Sequence, residues 1–115
     1  MSEKLSVVVD RLSRVPGVRG AAIVDARAGV PIVAELADDI APTALAALAG
    51  SAFRMSGRAT EKADYGPLKT LQLEATDGMV VVSGAGDLLV VAVAEAEAQL
   101  GLVRLEAARA AEEIR

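Results

Sequence analysis

The spacing of apolar and polar positions divides the chain into eight segments. Leu5, Val8, Val9 and Leu12 recur at helical spacing, so a first helix is predicted over about Glu3–Arg14. Ser2 is placed to cap it, and Glu3 puts a negative charge in the first turn, where the helix dipole favours one. Pro16-Gly17 stops the helix, with Gly17 free to take a positive φ. Ala21–Val24 is a short run that is apolar at every position and reads as a strand. Asp25–Gly29 is a tight loop, and Val30–Glu35 returns as a second strand. Asp38, Asp39 and Pro42 announce a long Ala-rich helix from about Ala41 to Ala63, ended by Tyr65-Gly66-Pro67. Three strands follow: Leu68–Thr76, Met79–Ser83 and Leu88–Ala94. Asp77-Gly78 is the first turn between them and Gly84–Asp87 the second. Ala98–Ile114 is a third helix, with Leu102, Leu105, Ala108 and Ala111 on one face.

The order αββαβββα in 115 residues fits one domain spanning residues 1–115. Ala21–Val24 and Leu88–Ala94 are apolar throughout, as strands covered on both faces are, so they belong side by side at the centre. The two hairpins then give a five-stranded antiparallel sheet of order 2-1-5-4-3, an α/β (α+β) sandwich. The middle helix lies on one face and the terminal helices on the other. Pro31 lacks an N–H and blunts one edge. The other edge, Leu68–Thr76, has no such protection, and an open regular edge invites pairing. A second copy of the chain is the expected partner.

The middle helix carries more apolar surface than one core contact needs. At 100° per residue, Leu45, Leu48, Ala52, Met55 and Ala59 form a stripe expected to meet the sheet. Ala46, Gly50, Phe53 and Gly57 form a second stripe, expected with Leu71 and Leu73 to build a dimer interface. A glycine inside a helix costs about 1 kcal/mol against Ala. Close approach of a second helix would offset that; the alternative is that Gly50 and Gly57 are merely tolerated and Phe53 fills the domain's own core. Ser51, Arg54 and Arg58 share a third, polar face and are candidates to meet an acidic partner surface.

Composition narrows the chemistry. The chain has no Cys, which excludes disulfides and thiolate metal sites, and no His, which removes the usual neutral-pH base and the commonest metal ligand. No nucleophile–base pair is visible, so no catalytic residue, cofactor or metal is expected. Gly84-Ala85-Gly86 is followed by a strand, not by the helix a phosphate loop requires. Asp38-Asp39 is read as carboxylates at a helix start, not as a metal site. Net charge −4 and pI 4.8 argue against nucleic acid and anionic membrane surfaces. No signal peptide and no run of about 18 apolar residues is present, so a cytoplasmic location is expected.

The run Leu12–Asp25, with Pro16-Gly17 at the turn, followed by Gly29-Val30-Pro31-Ile32, resembles the opening of roadblock (dynein light-chain) domains. Leu88–Val93 and Gln99–Arg104 are similar to that family's last strand and final helix start. The resemblance implies homodimers or heterodimers built through the middle helix and third strand. It also implies a surface on the paired middle helices that binds small Ras-like GTPases. Bacterial, MglB-like members act beside a gliding-type GTPase. The resulting expectation is a non-enzymatic homodimeric regulator or scaffold for such a GTPase. A dimeric assembly module serving a signalling complex without a GTPase is the alternative. A small-molecule sensor would need a deep polar pocket, which the sequence does not suggest.

Overall fold

The computed structural model describes residues 2–115; the capping role expected of the Ser2 side chain falls outside what is described. Eight elements follow the expected order: α1 (Ser2–Ser13), β1 (Val18–Asp25), β2 (Pro31–Leu36), α2 (Pro42–Lys62), β3 (Thr70–Ala75), β4 (Gly78–Ala85), β5 (Leu88–Glu95) and α3 (Leu100–Ile114). The sheet is antiparallel with order β2-β1-β5-β4-β3, and β3 and β2 are its edges.

Several boundaries differ from expectation, each for a local reason. Ala75 pairs with Gly78, so the β3–β4 turn is Thr76-Asp77 and Gly78 already belongs to β4. Ala85 pairs with Leu88, which carries β4 two residues beyond Ser83 and leaves Gly86-Asp87 as the whole turn, with Gly86 at φ 68°. At the start of α2, Pro42 takes the first helical position, where its missing N–H costs nothing. Asp38 and Asp39 do not cap this helix. Asp39 instead accepts a 2.7 Å ion pair from Arg19. The helix ends at Lys62, and just beyond it Asp64 adopts φ 64° while Asp64 N–H donates to Glu61 O and Tyr65 N–H to Thr60 O. This pair of bonds satisfies two carbonyls that the helix end would leave open.

The two faces of the sheet are finished differently. Along β1, Ala21 and Ile23 point to the layer formed by α1 and α3, while Ala22 and Val24 point to α2. Along β5, Val90, Ala92 and Ala94 take the first side and Leu89 and Val91 the second. Strand alternation therefore feeds both layers, as the unbroken apolar runs require. Under α1 and α3, Val8, Val9, Leu12, Ile23, Val81, Val90 and Val103 are all essentially inaccessible to water. Each side chain of that size contributes roughly 1.5–3 kcal/mol on burial. The α2 layer is thinner. Its fully buried members are Ala22, Val24, Ala46, Ala49, Val82, Leu89 and Val91, with Leu45, Phe53, Leu71 and Val80 only partly covered.

Candidate partner-binding surface

The rotation of α2 decides what the molecule presents. The residues that α2 lays on the sheet are Ala46, Ala49 and Gly50, with Leu45 and Phe53 beside them. The expectation that Leu48 and Met55 would face the sheet is therefore corrected: they are 70% and 61% exposed. The assignment of Ala46, Gly50 and Phe53 to a surface open to a second chain is corrected in the same way, because the chain's own strands occupy that side. The physical reason is size. Small side chains let the helix axis descend close to the strands, with Leu45 and Phe53 packed beside them and Leu48 and Met55 turned outward.

Close approach occurs at Gly50, but the neighbour is the β1–β2 hairpin. A Cβ on Gly50 would lie 3.1 Å from Gly29 Cα. Gly84 on β4 plays the matching part for Phe53, whose Cζ would stand 3.0 Å from a Cβ there. Gly57 is different: a Cβ would meet only Leu68 Cβ, at an ordinary 3.7 Å. No packing contact within the chain requires a glycine at that position.

The polar face is also redistributed. Arg54 donates from Nη1 to Ala26 O at 2.8 Å and Arg27 O at 3.2 Å, so it pins the hairpin as well as facing solvent. The hairpin is further fixed by Asp25, whose carboxylate accepts from Arg27 N–H at 2.9 Å and Ala28 N–H at 2.8 Å. Those bonds, from Ala28 first and then Arg27, hold the Asp25 carboxyl below its ordinary value. Ser51 and Arg58 are exposed and make no side-chain bond among the described residues.

Leu48 and Met55 lie on the flank of α2 turned away from the hairpin that Gly50 and Arg54 touch. Beyond α2 the same side of the sheet stays partly open. Leu71 and Val80 are partly buried and Leu73 is 47% exposed. A trough of about 610 Å³ at that end of the sheet is lined by Leu73, Ala75, Val80 and Val93. β3 is hydrogen-bonded to β4 alone. No helix lies squarely over it, since α2 sits mainly over β1 and β2, and α3 over β4 and β5.

Sequence reasoning found the open strand and missed Leu48 and Met55. The signal that could have found them is the i, i+3, i+4, i+7 spacing of Ala46, Ala49, Gly50 and Phe53, a stripe of small residues closed by one aromatic ring. Among the described residues no helix is long and apolar enough to cross a membrane.

Such an arrangement is that of an α/β sandwich with one face fully covered and the other only partly covered. Comparison with known proteins agrees with the fold. Residues 4–94 match the model of the Roadblock/LC7 domain, and the chain belongs to that family. An uncharacterized protein of Methanocaldococcus jannaschii is 28% identical over 108 residues, covering 94% of each chain. The crystal structure of a Roadblock/LC7 domain from Streptomyces avermitilis superposes with TM-score 0.87 at 23% identity, over 96% of this chain and 94% of that one. Myxococcus xanthus MglB does so with TM-score 0.87 at 23% identity, over 96% and 84%. Roadblock domains are in general regulatory, not catalytic.

Proposed function

We propose that this chain is a non-catalytic regulator or scaffold that pairs with a second copy of itself and, as a pair, docks a small Ras-like GTPase. The observation that carries the reading is the outer edge of β3, for which no paired strand is described, and the outward apolar residues Leu48 and Met55 of α2 add exposed apolar surface to it. An exposed edge of this regularity is normally blunted or paired. Pairing β3 with its copy continues the sheet across two chains and brings the open trough under cover. Leu71 and Leu73 are the β3 residues of the proposed pairing. Leu48 and Met55 replace Ala46, Gly50 and Phe53 as the helix residues of the association surface. Ser51 and Arg58, exposed on the same helix, are the polar contacts offered to the GTPase. The GTPase itself enters through family membership and the MglB-like fold.

The test has two stages. Light scattering of the purified chain is expected to give twice the monomer mass, and Leu48→Asp with Leu73→Asp a folded monomer. Unchanged mass in the double variant would remove this surface from the interface. Mixed with a small Ras-like GTPase of its own organism, loaded with GDP or with a non-hydrolysable GTP analogue, the pair is expected to form a complex in at least one state. No complex in either state leaves the assembly-module reading in its place.

A further inference from the structure

A second surface lies at the opposite flank of α2. The β1–β2 hairpin, the β4–β5 turn, the segment leading into β3 and the last turns of α2 enclose an open groove of about 1010 Å³. Five cationic and three anionic side chains line it, in a chain whose net charge is −4. Arg27, Arg54, Arg58 and Lys69 come from three of those segments, and none of the four forms an ion pair among the described residues. Of the acids, Asp25 is already committed to the N–H groups of its own turn.

The floor is apolar and shaped by an absence. Phe53, Leu68 and Gly57 line it, and Gly57, like Gly101 of α3, is a helix glycine that no internal packing contact requires. At Gly57 the missing side chain, which costs the helix about 1 kcal/mol of propensity, leaves open space beside Phe53 and Leu68. From the unpaired cations and the open apolar floor together, we infer that this groove binds an acidic peptide segment of a partner protein, with a large apolar side chain seated over Gly57 and carboxylates against Arg27, Arg58 and Lys69.

Other polyanions fit less well. A compact phosphate is served by helix N-termini and backbone N–H nests. Here the α2 residues that line the groove belong to the C-terminal half of that helix, so α2 offers no N-terminal N–H groups to a phosphate. A membrane or nucleic-acid backbone meets a continuous basic face. Glu61 and Asp87 interrupt this one. A peptide can thread its carboxylates between them.

The inference does not depend on the GTPase reading. Titration of the full chain into a short fluorescein-labelled peptide of Asp and Glu around a Phe-Leu pair, followed by anisotropy, is expected to saturate with Kd of about 100 µM or tighter at low salt. Raising salt toward about 0.5 M should weaken it about tenfold. Arg58→Glu with Lys69→Glu is expected to weaken binding at least about tenfold. Gly57→Leu, which raises helix propensity and so preserves the fold, should weaken it at least about fivefold by filling the floor. Leu48→Asp, which breaks the proposed pairing, should leave peptide binding unchanged. The inference is overturned if the peptide shows no saturable binding, if its Asn/Gln counterpart binds equally well, or if the Gly57 and charge-reversal variants bind as the parent does. Tighter retention of phosphatidylserine vesicles or single-stranded DNA than of the peptide would overturn it as well.

Discussion

The two faces of the sheet follow different rules. Under α1 and α3, branched and long aliphatic residues from both helices meet the strands. Val8, Val9, Leu12 and Val103 are all 2% exposed or less. Under α2 the helix contributes Ala46, Ala49 and Gly50 with the half-buried Leu45 and Phe53, while Leu48 and Met55 point to solvent. The first face is finished within one chain. The second is thinner and leaves apolar side chains in water. Hydrophobic residues therefore do two jobs here, and only their place in the fold tells them apart.

That difference can be tested by substitution. The largest effect should come from Ile23→Ala on the finished face. A buried residue of this kind costs about 3–4 kcal/mol when truncated, and urea unfolding would show it. Leu73→Ala on the open side should change the stability of the unpaired chain by no more than about 0.5 kcal/mol, though it weakens self-association. If the two cost the same in dilute solution, the contrast between the faces is false. A smaller effect, of opposite sign, is expected at Ser83. Its hydroxyl is buried on the α1/α3 side, between Val81 and Ala85 along β4, and finds no hydrogen-bond partner. Ser83→Ala should stabilise the protein by about 1 kcal/mol, seen as a higher midpoint in the same titration.

The smallest effect concerns pH. The Asp25 carboxyl is held below its ordinary value of 3.8 by the Ala28 and Arg27 N–H groups. Because the folded value is the depressed one, the turn is supported at neutral pH. That support is lost as pH falls from the ordinary carboxylate range through the depressed value. Amide signals of Arg27 and Ala28 should shift over that window in the parent and not in Asp25→Asn.

Much of this was legible in the chain itself. The unbroken apolar runs of β1 and β5 announced strands covered on both sides. The turn residues gave the hairpins, and with them the order of the sheet. The rotation of α2 was not legible by the same logic. Leu48 and Met55 are the more hydrophobic stripe, but Ala46, Ala49 and Gly50 lie on the sheet side, where a Cβ at Gly50 would already stand 3.1 Å from Gly29 Cα. Burial there is set by clearance, and hydrophobicity alone does not encode clearance. The basic groove was half visible, since Arg54 and Arg58 stand one turn apart in sequence. Arg27 and Lys69 join them only through folding, which brings the hairpin and the approach to β3 alongside the helix.

The small residues beneath α2 have a consequence for the outer surface of the helix. Because Ala46, Ala49 and Gly50 set the height of the helix, any one of them exchanged for a larger residue lifts Leu48 and Met55 as a unit. The shape of this exposed apolar surface is thus governed from positions that solvent does not reach.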